Sequence, residues 1–182
     1  MGVETVLPQI ARAAVDAEKV TGCPAEVVAA QCILESGWLK FAPGNNCFGI
    51  KAYSGCHGTQ LLNTPEWFTL AEVGRFLALG GGRTAVLKHP EVPARKDGRR
   101  EYAVKDLFAT FLTLGNCFAK RSAMWDKGPY QKAADTYKAD KNLAGFVASM
   151  GRVYATDPHY AETVLSLIHQ SNVAQAIAGA RA

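Results

Sequence analysis

A mostly α-helical α+β domain with one small β-hairpin lobe is the fold this sequence predicts, on three observations. Apolar residues recur at helical spacing over most of the chain, in segments that open on Pro or a capping side chain and close on Gly. TAVLKH and REYAV read as paired strands that flank a KDG turn. A length of 182 residues at 48% hydrophobic is enough to bury one good core. A single domain over residues 1–182 is therefore expected, with the β-lobe within about 54–104 and no internal repeat.

Taken in order, Pro8 opens a first helix that turns Ile10, Ala14, Ala17 and Val20 toward the core and stops at Gly22. Pro24 opens a second, which ends at Gly37. From Pro43 to Gly49 the residues are Pro, Gly and paired Asn, so Asn45 and Asn46 are expected to hold a tight turn that Phe48 and Ile50 anchor to the core. TPEWFTLAEVGRFLAL starts like a helix on Thr-Pro and also alternates like a strand; helix is the preferred reading. After Gly80 to Gly82 comes the hairpin. From Asp106 onward every segment reads as helix: LFATFLTLG, burying Leu107, Phe108, Phe111 and Leu112 and closing on Gly115; a helix from Pro129; one capped by Asn142 and stopped by Gly151; and a last one started by Asp157 and Pro158.

Composition narrows the chemistry. A formal charge of +4 suits an anionic polymer without saying which. RKDGRREY holds much of the basic excess and reads as a solvated turn before a binding patch. No apolar run is long enough to span a bilayer, and MGVETVLPQIARAA has no basic region followed by an apolar stretch, so no standard secretory signal is expected. Cys23, Cys32, Cys47, Cys56 and Cys117 show no CxxC spacing, which speaks against zinc. Cys32 reads as a small core residue, and Cys47 and Cys56 could be bridged in an oxidising compartment, although the expected lack of a signal segment argues for synthesis and storage in a reducing cytosol. No His pairs with Cys or Ser in a nucleophile arrangement, so a cysteine peptidase is not supported.

The most informative stretch is AAQCILESGWL. From Val27 to Leu34 only Gln31 is polar, so the helix reads as buried on most sides and delivers one carboxylate, Glu35, to its C-terminal end. Burial and the negative end of the helix dipole would both raise the pKa of such a carboxyl, toward the range of a general acid. The alternative is a last-turn Glu pointing into water.

Three strings in order, ESGW, PGNNCFGIKA and YATDPHYA running into VLSLI, resemble the glucosaminidase family of peptidoglycan hydrolases, glycoside hydrolase family 73, from about Leu7 to Ile168. Leu39 stands where the family usually has a small residue, Val153 where Gly is common, and Ser54 to Gly98 is longer than usual. The resemblance implies a lysozyme-like fold with a groove between its lobes. It also implies an endo-β-N-acetylglucosaminidase cutting the β-1,4 bond between N-acetylglucosamine and N-acetylmuramic acid, without cofactor or metal. The partner expected is the peptidoglycan strand, not nucleic acid, engaged by a monomer that makes no stable membrane insertion. The protein would be made in the cytoplasm and act in the periplasm or outside the cell, in phage lysis or through a secretion apparatus.

Glycoside cleavage needs an acid at the leaving oxygen and a second group at the anomeric carbon. The family's second carboxylate precedes a strand with an Arg-x-Tyr pattern, matched here by Arg100 and Tyr102, and walking back over the KDG turn reaches Glu91. Glu66 is the rival, and Glu72 and Asp97 are outsiders. With an N-acetylated sugar the substrate's acetamido oxygen can replace an enzyme nucleophile, so inverting and substrate-assisted routes both stay open. Tyr154, first in YATDP, is implied beside the acid. Asn46, Tyr53, Trp67 and Tyr160 are the candidate substrate contacts, Tyr53 and Trp67 because an aromatic ring covers the apolar face of a pyranose. A lytic transglycosylase or muramidase on the same fold, or a wall-binding module without catalysis, are the alternatives.

Overall fold

The computed structural model describes residues 3–154, 159–170 and 172–182. In chain order its helices are α1 (Val3–Thr21), α2 (Ala25–Ser36), α3 (Leu70–Ala78), α4 (Leu114–Ala123), α5 (Gln131–Asp140), α6 (Leu143–Tyr154), α7 (Tyr160–Gln170) and α8 (Val173–Arg181). Its strands are β1 (Gly58–Phe68), β2 (Thr84–Leu87) and β3 (Arg100–Thr110). The chain divides into two compact units, Met1–Gly49 with Phe111–Ala182 (the α unit) and Ile50–Thr110 (the β unit).

In the α unit, α1 packs against α2, α4 and α8. Ile10, Ala14 and Ala17 are buried as expected, but Val20 is 78% exposed. At 100° per residue Val20 lies about 90° from the centre of the stripe formed by the other three. The helix starts at Val3, so Pro8 sits within it on an exposed position instead of opening it. Helix α2 has no polar face: Ala25, the run Val27–Ile33 and Ser36 are all buried. Beyond the β unit, the Thr113 Oγ1 caps α4 by accepting the Asn116 N–H at 3.2 Å, and the Asn142 Oδ1 caps α6 by accepting the Gly145 N–H at 2.9 Å. Helix α6 runs through Gly151 to Tyr154, where a stop at Gly151 was expected. The turn assigned to Asp157 and Pro158 lies outside the described residues, and α8 is one helix more than the sequence predicts. Its Arg181 guanidinium grips one carboxylate from each of the first two helices, reaching Glu18 at 2.8 and 2.9 Å and Glu26 at 2.6 and 3.1 Å.

The β unit departs further from expectation. It is a three-stranded antiparallel sheet in the order β1-β3-β2, not a two-stranded hairpin. Of the run TPEWFTLAEVGRFLAL, read as helix, TPEWF is the end of the strand GTQLLNTPEWF, and LAEVGRFLA is the helix expected. Pro65 is tolerated because β1 is an edge, where a missing N–H need not break the ladder. The true helix start is Thr69, whose hydroxyl and the Glu72 carboxylate form a reciprocal capping box for α3. TAVL pairs with β3 in the expected sense, Thr84 opposite Lys105 and Leu87 opposite Tyr102, although residues 88–99 form a longer loop than a KDG turn. LFAT belongs to β3 and not to a helix. Val73 and Phe76 of α3 cover one sheet face over Tyr102, Val104, Phe68, Ala85 and Leu87. On the other face Leu61 and Val86 stay exposed. There the Gly80–Gly82 turn lies so close that a Cβ on Gly81 or Gly82 would come within 2.8 Å of Leu107 or 2.9 Å of Leu61.

Candidate active site

Glu35 occupies the last turn of α2. The apolar shelter that the sequence suggests stops at Ile33: Leu34 and Glu35 are exposed, and Ser36 turns inward again. Glu35 is therefore a carboxylate held in solvent by a rigid buried rod, which corrects the expectation of a desolvated acid. The turn beneath it is unusual. Gly37, Trp38 and Leu39 all have positive φ, at 56°, 62° and 63°, a conformation that disfavours residues with a Cβ. Ser36 pins this turn, its hydroxyl donating to the Cys32 carbonyl at 2.5 Å and accepting the Leu39 N–H at 2.9 Å. The small residue usual at Leu39 in the resembling family thus has a backbone reason.

One turn before Glu35, the fully buried Gln31 joins three helices. Its Nε2 donates to the Tyr160 hydroxyl at 2.8 Å, and its Oε1 accepts the Arg121 Nε–H at 3.2 Å. Burial, reinforced by the negative charge of Glu35, pushes the Tyr160 hydroxyl up to about 12 despite the Gln31 hydrogen bond, so Tyr160 keeps its proton at neutral pH. Tyr160, a candidate substrate contact, thus stands at the head of α7 in the electrostatic range of Glu35. Sequence reasoning gave Gln31 and Arg121 no role. The signal for Gln31 was present, since it is the one polar residue in an otherwise apolar helix run. Tyr154 ends α6, and its side chain lies outside the described residues.

The Asn-Asn loop closes where the chain leaves and rejoins the α unit. Asn45 donates to the carbonyls of Phe111 and Leu112 at 2.9 and 3.3 Å, and the Phe111 N–H returns to the Gly44 carbonyl at 2.8 Å. The expected turn is real, but the Asn45 side chain reaches across sequence in place of closing its own turn. Asn46 is only 4% exposed, and its N–H bonds the Pro43 carbonyl at 3.2 Å. Next to it, the buried Cys47 has its sulfur 3.7 Å from that of Cys117.

In the β unit, Glu91 does not lie on a strand leading into the turn. It sits in the loop between β2 and β3, 70% exposed, with His89 Nδ1 at 3.5 Å. Glu66 is on β1, opposite Tyr102, with the Lys51 ammonium at 2.9 Å. Lys51 also reaches Asp106 at 2.8 Å, and Arg83 meets the same carboxylate at 2.8 Å. Burial alone would raise Asp106, but these two cations and the Leu107 N–H outweigh it and hold the carboxyl below its usual range. Strand period puts Glu66 and Trp67 on opposite faces of the sheet. Trp67 carries the Arg95 guanidinium 3.3 Å from its ring centroid, so a sugar stacking on that face would have to displace it. Tyr53 is half-buried ahead of β1, its carbonyl accepting the Cys56 N–H at 3.2 Å. Among the described residues no group of three or more His, Cys, Asp or Glu is placed to hold a metal ion.

Residues 11–173 match the glucosaminidase family model, described as mannosyl-glycoprotein endo-β-N-acetylglucosaminidase. Solved structures with the same fold include the catalytic domain of the autolysin Auto from Listeria monocytogenes, at 24% identity and a TM-score of 0.64 over 96% of this chain and 86% of that one. The glycoside hydrolase domain of FlgJ from Salmonella typhimurium gives 19% and 0.61 over 98% and 94%. A peptidoglycan hydrolase mutant from Sphingomonas sp. A1 gives 23% and 0.55 over 97% of each chain. At such identities the likeness is one of fold. No curated protein sequence matches the chain.

Proposed function

The chain belongs to the glucosaminidase family and is a glycoside hydrolase of the endo-β-N-acetylglucosaminidase type, and from that premise we propose that its substrate is the glycan strand of peptidoglycan. The bond cut is the β-1,4 link that follows N-acetylglucosamine. The observation that carries the reading is the match over residues 11–173, which takes in the buried helix α2 and the exposed Glu35 at its end. Peptidoglycan hydrolases of the same fold and the modest basic charge support it.

Glu35 acts as general acid, protonating the leaving oxygen. For the second carboxylate the β unit favours Glu66: it is fixed on a strand and held by Lys51, whereas Glu91 is loose on a loop. Whether that carboxylate activates water or supports the substrate's own acetamido group, its negative charge favours the cationic transition state. Tyr154, Asn46, Tyr53 and Tyr160 are the further site residues of this reading. Both units work as one catalytic domain and as a monomer. No helix among the described residues is long and apolar enough to cross a membrane. The enzyme acts on the wall from the periplasm or from outside the cell, delivered in phage lysis or by a secretion apparatus.

Digestion of purified peptidoglycan followed by borohydride reduction tests this. N-acetylglucosamine should appear as the new reduced terminus. Reduced muramic acid would mark a muramidase, anhydromuramic ends a lytic transglycosylase, and binding without new termini a wall-binding module; each would refute the proposal.

A further inference from the structure

We propose that Cys47 and Cys117 form a disulfide when the chain folds in an oxidising compartment, and that this bond closes a covalent ring around the entire β unit. The two sulfurs lie 3.7 Å apart and both residues are buried, so a contraction to the bonded distance of about 2.05 Å is a small movement. Cys47 belongs to the turn after Asn46 and not to a helix, so the adjustment falls on a loop. Cys32 is the third sulfur near Cys47, but it lies within α2 and contacts the Ser36 hydroxyl at 3.7 Å. Cys117 is the better placed partner, because its sulfur accepts hydrogen bonds from the N–H groups of both Cys47 and Phe48.

These contacts also polarise the pair. The hydrogen bond from Cys47 lowers Cys117, and with the two N–H groups it outweighs burial; the same bond, with a further one to Cys32 and burial, raises Cys47. In the exchange Cys117 acts as the first nucleophile, reacting as the thiolate once its thiol has given up a proton. Its sulfur attacks one sulfur of a disulfide oxidant, either a low-molecular-weight disulfide of the glutathione type or an oxidised thiol–disulfide oxidoreductase, and expels one oxidant thiolate. Cys47 then loses its proton and attacks the Cys117 sulfur, expelling the second. Two electrons pass to the oxidant, and the two protons end on its thiols. Because both sulfurs are buried in the finished fold, the exchange takes place while the α unit is still closing.

Cys47 and Cys117 are 70 positions apart, and the segment between them contains the whole of Ile50–Thr110. A ring of that size restricts the unfolded chain strongly, and the oxidised protein should melt about 5–15 °C above the reduced one. The test is to refold the full chain in a mixture of oxidised and reduced glutathione, block free thiols under denaturing conditions and map the peptides without reduction. A peptide pair linking Cys47 to Cys117, with a melting temperature that falls on adding dithiothreitol, supports the proposal. Free thiols at both positions, a link from Cys47 to Cys56 or Cys32, or a melting temperature indifferent to reductant overturns it. Cys117→Ala should abolish the shift; should that variant fail to fold, Cys56→Ser must keep both link and shift. Peptide mapping reads no catalysis, so this inference and the enzymatic reading fail separately.

Discussion

The α unit and the β unit shelter polar side chains by different means. In the α unit Gln31 links Arg121 and Tyr160 through the hydrogen bonds of its neutral amide, deep between helices. The β unit instead gathers charges: Asp106 lies between Lys51 and Arg83 on the covered face of a thin sheet, and Glu66 shares Lys51. A helix buried on most sides and clasped near its start by Arg181 is rigid enough to hold an exposed acid at its tip. A three-stranded sheet covered on one face by a nine-residue helix is not, and depends on ion pairs that respond to pH.

The largest expected effect removes the acid from the rigid unit. Glu35→Gln should lower the release of reducing ends from peptidoglycan by about 10²- to 10⁴-fold with circular dichroism and melting unchanged. Activity within a few-fold of the parent would end the assignment of Glu35. Next comes the carboxylate of the charge-supported unit. Glu66→Gln should slow hydrolysis by about 10²-fold, whereas Glu91→Gln stays within a few-fold. The reverse ranking would return the role to the loop, as the sequence reading has it.

A third substitution asks whether the ion pairs hold the β unit up. Asp106→Ala leaves Lys51 and Arg83 facing each other without their anion and should cost about 2–3 kcal/mol, discounted for the partial exposure of Lys51. Hydrogen exchange should quicken in β1 and β3 and not in α1 or α2; a uniform rise across both units would show that they melt together. The same carboxylate sets a pH window. Its folded pKa lies below the ordinary 3.8, so its contribution is complete above that value and disappears as the pH falls through the depressed one. Acid should therefore loosen the β unit first. The smallest effect concerns the left-handed turn after α2. Leu39→Gly should relieve a positive φ and raise stability by about 0.5–1 kcal/mol in chemical denaturation, and a loss of that size would mean that the Leu39 side chain contributes more than its backbone strain removes.

The two units also differed in how far their sequences could be read. Helix α2 was legible because Pro24 and Gly37 bracket an unbroken apolar run, and because Glu35 stands in a recognisable string. The β unit was obscured by single residues with a local purpose. Pro65 imitates a helix start, yet it only marks an edge strand. Asp106 takes an inward position where alternation calls for an apolar residue, so LFAT loses its strand pattern and reads as helix. The ion pairs that justify Asp106 come from Lys51 and Arg83, 55 and 23 positions away, and no local window contains both. The placement of Glu91 failed with the loop, since pairing with β3 was anticipated whereas the length of the 88–99 connection was not.

The grip of Arg181 on Glu18 and Glu26 bears on when this protein can become itself. Those partners are separated from it by 163 and 155 positions, so α1 and α2 leave the ribosome long before the residue that clasps them together exists. The helix that carries Glu35 therefore lacks this clasp until α8 has been made. Maturation of the α unit is timed by the arrival of α8, not by the making of α1 and α2.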